Sequence, residues 1–528
     1  MGGGQRRRVV VIEAGSKQAY IFATNKRREA VGASELVHRV GTQWVDKALA
    51  NENGAAPGVE VVVRSSGTAT LLVPDEPTGR AVIESVTLQA LTQANGLDVY
   101  GYVSPEVELD GADSLRNALS QAFGRLAEVR ARRPGPASRH LRLPIVAECG
   151  SSGLPAAGWW SESRDEAPEP RARESLDKIG AADSALERFA EKLGLELNVL
   201  RTAVRSLGDE TDWVAVVHAD GNGLGKLFAE FNAGTDGLGE HIRTLRRFSE
   251  ALDACTTAAL KAALEEVFGS VGKASGRVLP LIVGGDDLTL LCSGRDALQL
   301  AERYLLAFED KTAGNRDIRS VTERMLSRCG LTAAAGVAVV KPHFPFSSAY
   351  ELAEELCGSA KSLVRTLAGQ PGNGGGRHVS ALDFHVVFDS SPSDFAVHRA
   401  LGDGASAVMR PLIVDGSDGD APEPGSVAHL RRVAEVLRRR SDEGGLSRSV
   451  WHSIRNALAT SADAADQLYR QRKAERGIDD NELLGPSIFF GDGNGGKRTA
   501  LVDALTLVDL EPGETAEIDE SQEAGRKP

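Results

Sequence analysis

Two apolar runs, Leu279 to Val283 and Leu288 to Cys292, are separated by Gly284-Gly285-Asp286-Asp287. Neither run alternates apolar with polar side chains, so both read as buried strands. The intervening glycines reach positive φ, which makes a tight hairpin tip and leaves no side chain to block an approaching phosphate. Such a tip presents two carboxylates at the edge of a sheet.

A second feature constrains the architecture further. The hairpin is preceded by Trp213 to Ala219, a strand that runs into Asp220-Gly221-Asn222 and then a helix. The same plan occurs earlier. Val9-Val10-Val11-Ile12 leads into Glu13-Ala14-Gly15, a helix is expected from there through Ala30, and Val59 to Val73 reads as a hairpin turning at Ser65-Ser66-Gly67-Thr68. The chain is therefore a degenerate repeat of strand, helix and hairpin. Only the second copy carries carboxylates at both turns. From about residue 425 amphipathic helices follow, among them Val427 to Arg440 and Ser449 to Ala459.

At 528 residues three or four domains are expected. Charged residues make up 26% and hydrophobic ones 41%, which places the chain among globular proteins. The 57 glycines are not periodic, which excludes collagen-like repeats. A net charge of −13 argues against a surface that clings everywhere to nucleic acid, though it leaves room for a local basic groove. No apolar run reaches the roughly 18–20 residues of a membrane helix. Val9 to Ile12 is too short for a signal-peptide core, so a cytoplasmic protein is expected. Five cysteines without a C-x-x-C pair fit reduced, mostly buried thiols, and Cys149 to Pro155 is discounted as half of a zinc knuckle. The segments Ser161 to Ser175, Gly369 to Gly376 and Asp415 to Pro424 read as exposed loops or linkers, Pro134-Gly135-Pro136 breaks a basic helix, and Glu511 to Pro528 reads as a disordered tail.

Asp220, Asp286 and Asp287 are the candidate catalytic and metal-binding residues. Three hard oxygen ligands at one sheet edge suit Mg²⁺ or Mn²⁺ together with the oxygens of a bound triphosphate. Two such ions activate a hydroxyl and stabilise leaving pyrophosphate. Gly221, Asn222, Gly223, Gly284 and Gly285 are candidate nucleotide-binding positions, and the helix starting near Leu224 aims its N-terminus at the same place.

In combination these motifs resemble the large palm-domain subunit of type III CRISPR effector complexes, which is related to GGDEF-type nucleotide cyclases. The residues that carry the likeness are Lys17 to Phe22 with Val31 to Leu36, His218 to Lys226, Gly284 to Leu288, Thr332 to Ala338 with His343 to Pro345 and Ala360-Lys361, Leu382 to His385, Arg410-Pro411, and Leu501 to Leu505. The resemblance implies joining of ATP into cyclic oligoadenylates with release of pyrophosphate. It implies Asp220 and Asp286 as metal ligands, Asp287 as the second hairpin carboxylate and Lys361 as a triphosphate contact.

The sequence departs from the family in three ways. Asn222 stands where the family often has a carboxylate, which suggests a ribose or water contact. The chain begins directly with the first palm, without the HD phosphohydrolase domain of many members. The cysteine-rich knuckle between the palms is missing. Ser65, Ser66 and Gly67 stand in the first palm where the second has its carboxylates, and that palm is expected to bind nucleotide or support the second palm, without doing chemistry.

The expected fold is α/β (α+β), with two ferredoxin-like palm domains, a helical insert and a helical C-terminal domain. The expected boundaries are 1–145, 146–208, 209–390, 391–510 and a tail at 511–528. The expected function is metal-dependent synthesis of a cyclic nucleotide signal from ATP in prokaryotic antiviral defence. Template-directed polymerisation, GTP cyclisation or a non-catalytic scaffold are the alternatives. Expected partners are an NTP, RNA or effector-complex subunits and a downstream effector of the signal, with no membrane. Gly491 to Lys497 matches G-x-x-x-x-G-K but continues with Arg498, where a phosphate-binding loop needs Ser or Thr, so it reads as a plain glycine loop. His218, Trp159 and Trp160 read as packing residues. Arg431, Arg432 and Arg438 to Arg440 read as a solvated basic stripe.

Overall fold

The computed structural model describes residues 5–511, apart from 52–53, 56–57, 134–144, 163–166, 209–212, 235–236, 370–376, 389–398, 400, 402–404, 417–421, 440–443, 479–483 and 492–495. The expected tail at 512–528, the Pro134-Gly135-Pro136 break and the interiors of the glycine-rich loops and of the 415–424 linker lie outside the described residues.

The N-terminal part is built on β1 (Gln5–Gly15), in which Val9 to Ile12 are wholly inaccessible to solvent. It is followed by α1 (Lys17–Phe22), α2 (Arg27–Gly41), α3 (Gln43–Leu49) and a miniature hairpin of β2 (Ala50–Asn51) and β3 (Gly54–Ala55). Then come β4 (Glu60–Ser65), β5 (Thr68–Val73), α4 (Glu76–Gln93), β6 (Asp98–Val103), β7 (Val107–Leu109) and α5 (Ala112–Arg132). The strands run β4-β5-β1-β6, all antiparallel, with β7 also on β1. With the crossing helices α2 and α4 this is a ferredoxin-like β-α-β-β-α-β unit.

The expected single helix through Ala30 is instead two helices, α1 and α2. No glycine or proline marks the break. Tertiary contacts impose it: the Phe22 ring stacks on Tyr350 with centroids 4.2 Å apart, and Asn25 Oδ1 accepts the backbone N–H of Phe346 at 2.9 Å.

The connecting segment holds β8 (Ala156–Trp160), β9 (Glu169–Ala172), α6 (Arg173–Leu193) and α7 (Leu197–Ser206). The expected exposed loop at Ser161 to Ser175 is therefore corrected, because its second half is strand and helix. Arg171 and Ala172 are buried there, and Arg171 pairs with Glu169 at 2.7 Å and lies over Trp160. Trp159 is 70% exposed, so it is not the packing residue expected.

The second sheet repeats the first. It is assembled from β10 (Val214–Gly221), α8 (Leu224–Ala229), α9 (Leu238–Phe268), β11 (Val278–Gly284), β12 (Asp287–Ser293), α10 (Ala297–Gly314), α11 (Arg316–Leu326) and β13 (Ala333–Val340). Beyond these lie α12 (Phe346–Ala368), β14 (Ser380–Val386) and β15 (Leu412–Val414). The order is β11-β12-β10-β13-β14-β15, and its first four strands reproduce the order of the N-terminal sheet. β13 is buried at all eight positions, between helices on one side and neighbouring strands, and pairs in parallel with β14 through the α12 crossover.

A helical C-terminal part follows: α13 (Val427–Arg438), α14 (Arg448–Leu458), α15 (Ala462–Arg476), a small hairpin of β16 (Phe490–Gly491) and β17 (Lys497–Arg498), and α16 (Leu501–Leu510). The G-x-x-x-x-G-K string thus joins two antiparallel strands, Phe490 opposite Arg498, and is not a strand-to-helix phosphate loop. The basic stripe on α13 is tied down in the protein. Arg431 pairs with Glu302 at 2.7 Å, and Arg438 donates to the Glu511 carbonyl at 2.9 Å. Four of the five cysteines are buried and none is bridged. Among the described residues, no helix is long and apolar enough to cross a membrane.

Candidate active site

The register of the second sheet assembles the site. On β10, Ala219 lies opposite Leu288 of β12, so Asp220 emerges beside the hairpin tip that carries Asp286 and Asp287. One carboxylate oxygen from each of the three lies within 4.8 Å of those from the others. Two glycines make this approach feasible. Gly285 sits at φ +61°, and a Cβ on Gly221 would come within 3.0 Å of the Asp286 Cβ.

The tip is held from behind by α9. Asp253 Oδ1 accepts the Gly285 N–H at 3.1 Å, and the Thr256 hydroxyl donates to the Gly285 carbonyl at 2.6 Å. Lys192 of α6 binds both Asp253 oxygens at 2.9 Å and the Val283 carbonyl at 2.9 Å. Asp253 was not legible as part of the site. It sits mid-way along a 31-residue amphipathic helix, and nothing local signals that it faces a hairpin.

Burial pushes both hairpin carboxylates up, and repulsion from their neighbours adds to it: Asp287 and Asp220 act on Asp286, and Asp220 acts on Asp287. Two cations oppose this at Asp287. One is Lys361 of α12, whose Nζ donates to Asp220 Oδ2. The other is Lys17, which reaches over from α1 of the first sheet. Lys17 Nζ donates to the Ser66 carbonyl at 3.2 Å and to Thr68 Oγ1 at 3.0 Å. Burial lowers the Lys17 pKa, while Glu13 and Asp287 support its charge. Lys17 thus sits on the Ser65-Ser66-Gly67 turn within electrostatic reach of Asp287 on the other sheet. Sequence reasoning used Lys17 as a family marker and assigned it no place in the site.

Other expected positions stand differently. The Asn222 amide donates to Thr332 Oγ1 at 3.0 Å and its backbone N–H to the Thr332 carbonyl at 2.8 Å, which ties this turn to β13. His218 is buried, and its Nδ1 lies 3.0 Å from Thr289 Oγ1. α8 has only six residues, too few for the phosphate-directing dipole expected of it.

The carboxylates fit a divalent cation. They are hard oxygen donors, and one oxygen from each lies within 4.8 Å of the others, close enough to share an ion. Their crowding also leaves negative charge that two lysines do not balance. The sign of the resulting pH dependence is definite. A carboxyl whose folded pKa is raised above its unfolded value near 4 binds more protons folded than unfolded. Its stabilising contribution is therefore lost as pH rises through the folded pKa. In EDTA, thermal stability is expected to fall between about pH 4 and about pH 8 because of these groups, pushed up to about 6 at Asp287 and about 8 at Asp286, and millimolar Mg²⁺ is expected to flatten that decline. Asp286→Asn should remove most of the Mg²⁺ effect. Melting curves across pH with and without Mg²⁺ check this.

Residues 213–366 match the family described as Cas10/Cmr2, second palm domain. Among solved structures, a chain in a Csm1–Csm4 cassette in complex with cA4 shares 13% identity, covering 96% of this chain and 70% of that one, with a TM-score of 0.52. Csm1 in T. onnurineus shares 14% identity over 96% of this chain and 69% of that one, with a TM-score of 0.51. A chain in a Csm1–Csm4 cassette in complex with AMPPNP shares 13% over 96% and 70%, with a TM-score of 0.50. No curated protein matches.

Proposed function

We propose, from the premise that residues 213–366 belong to the Cas10/Cmr2 second-palm family, that this chain is a metal-dependent nucleotidyltransferase making a cyclic oligonucleotide messenger from ATP in prokaryotic antiviral defence. The observation that carries the reading is the convergence of the half-buried Asp220, Asp286 and Asp287 at one end of a palm sheet. The likeness in fold to chains crystallised with cA4 and AMPPNP supports it.

Each residue has a definite task under this reading. Asp220, Asp286 and Asp287 hold Mg²⁺ or Mn²⁺, which supplies activation of a ribose hydroxyl and charge neutralisation at the leaving pyrophosphate. Gly284 and Gly285 let phosphate oxygens approach the hairpin backbone. Lys361, now paired with Asp220, turns to the triphosphate once the carboxylates are otherwise neutralised. Lys17 and the Ser65-Ser66-Gly67 turn face a second nucleotide from the first palm without repelling its phosphates. Effector-complex subunits and RNA are the partners, and the nucleotide product acts on a downstream effector.

Incubating the protein with each NTP and Mn²⁺, with and without candidate activating RNA, and identifying products by mass spectrometry tests the reading. Cyclic adenylates support it. A requirement for template marks a polymerase, and no product with any RNA marks a scaffold. Ser66→Asp adds a carboxylate where the second nucleotide's phosphates would lie. It is expected to slow synthesis roughly tenfold through like-charge repulsion while leaving Mn²⁺ affinity unchanged. Comparing rates with Mn²⁺ titrations by calorimetry separates the two effects.

A further inference from the structure

A cavity of about 790 Å³ lies at the other end of the second sheet. Its wall includes Val214, the first residue of β10, whereas Asp220 lies six residues further along, about 20 Å in extended strand. It is therefore separate from the carboxylate site. Its volume is in the range of small-ligand sites, roughly 300–1,000 Å³.

The lining is chemically mixed. Lys26, Arg27, Arg28 and Arg205 supply four permanent cations against two carboxylates, Glu29 and Glu162. Glu29 is buried and already engaged, accepting from Ser151 Oγ at 2.9 Å and Ser175 Oγ at 3.3 Å. Arg28 is held by Asp183 at 2.7 Å, and Arg27 Nη1 donates to the Ala203 carbonyl at 3.1 Å, so both guanidinium groups are fixed in the wall. Lys26 and Arg205 are exposed and form no ion pair among the described residues. Trp160, Phe344 and Phe346 add ring surface to the same cavity. Cationic groups beside aromatic faces in one open cavity suit a phosphate joined to a planar base, because aromatic rings stack on any base and Lys and Arg take phosphate oxygens.

We infer that this cavity is a second nucleotide site, distinct from the carboxylate site, which takes a nucleoside monophosphate or a short phosphorylated dinucleotide. Two elements connect it to the catalytic end. The α1 helix has Lys17 near Asp287 at its start, and Asn25 lines the cavity just past its end. The α12 helix has Phe346 in the cavity wall at its start and Lys361 on Asp220 four turns later. The Phe22–Tyr350 stack joins the two helices between these ends. Occupancy of the cavity is thus placed to influence Lys17 and Lys361 together.

The inference does not depend on the proposed activity, and its test reads binding alone. Calorimetry with AMP and with pApA is run on the full chain in EDTA, which withholds divalent metal from the carboxylates. The wild-type chain is expected to bind one equivalent. The K26E/R205E variant, which changes two exposed side chains, should weaken that binding at least tenfold with an unchanged melting temperature. D286A/D287A should leave it intact. Equal affinity in K26E/R205E and wild type would overturn the proposal. So would loss of the same binding in D286A/D287A, or pyrophosphate binding as tightly as AMP, since the rings would then read no base. A ten-residue single-stranded RNA that binds through Lys26 and Arg205 while AMP and pApA do not would also overturn it, in favour of an RNA surface.

Discussion

Replacing Asp286 and Asp287 together by alanine is expected to reduce product formation at least ~10³-fold, the scale on which loss of preorganised charge stabilisation acts. The fold should survive, because the substitution removes repulsion as well as ligands. Both carboxyls are pushed up by burial and by the Asp220 carboxylate, Asp286 also by Asp287, and neither forms an ion pair among the described residues. In the absence of metal the double variant is expected to melt at or above the wild-type temperature. Lost activity accompanied by a lower melting temperature would point to a structural role. Full activity with unchanged stability would remove the metal assignment altogether. Mass-spectrometric product assays alongside melting in EDTA distinguish these outcomes.

The largest effect on stability is expected at the other end of the chain. Asp503 of α16 is fully buried, pairs with the Arg410 guanidinium at 2.7 Å and accepts the Met409 N–H at 2.8 Å. Arg410 in turn lies over the Phe384 ring, 4.3 Å from its centroid, and donates to the Phe384 carbonyl. This pair ties the C-terminal helices to β14 of the second sheet. Asp503→Ala leaves a buried cation without its partner, a change that typically costs about 3–5 kcal/mol. Loss of hydrogen-exchange protection in α16 and β14, together with a lower urea midpoint, is the expected result. Near-native protection would show that Arg410 finds another partner.

Asp503 and Arg410 also show how a sequence signal divides between site and scaffold. Arg410-Pro411, Leu382 to His385 and Leu501 to Leu505 carried part of the family resemblance, yet they lie where the C-terminal helices pack against β14 and not at the carboxylates. Asp383 is likewise buried, held by both terminal nitrogens of Arg399 at 2.8 Å. The strands that form the site were legible because they are buried on both faces and so read as unbroken apolar runs. Asp220, Asp286 and Asp287 were legible because turn chemistry fixes where each run ends.

What escaped the sequence was set by contacts between distant segments. The break between α1 and α2 contains only Ala23, Thr24, Asn25 and Lys26, none of which forbids helix. It exists because Tyr350 and Phe346 claim Phe22 and Asn25. β9 reads as loop since Glu169-Pro170-Arg171 is charged and carries a proline, which an edge strand tolerates. Lys17 and Asp253 are ordinary surface-type residues on helices; the packing of the two sheets brings Lys17 towards Asp287, and the packing of α9 behind the hairpin brings Asp253 to Gly285.

The tandem arrangement of the two sheets has a consequence for how such a molecule responds to dilution. Units that meet only as separate chains assemble less as their concentration falls, so their output drops faster than their amount. Here the sheets share one polypeptide, and contacts such as Ser34 to the Leu281 carbonyl and Phe22 to Tyr350 fasten them together. Each sheet meets the other at an effective concentration set by the linkage and not by the number of copies in the cell. The meeting of the two sheets should therefore be as complete at nanomolar as at micromolar protein.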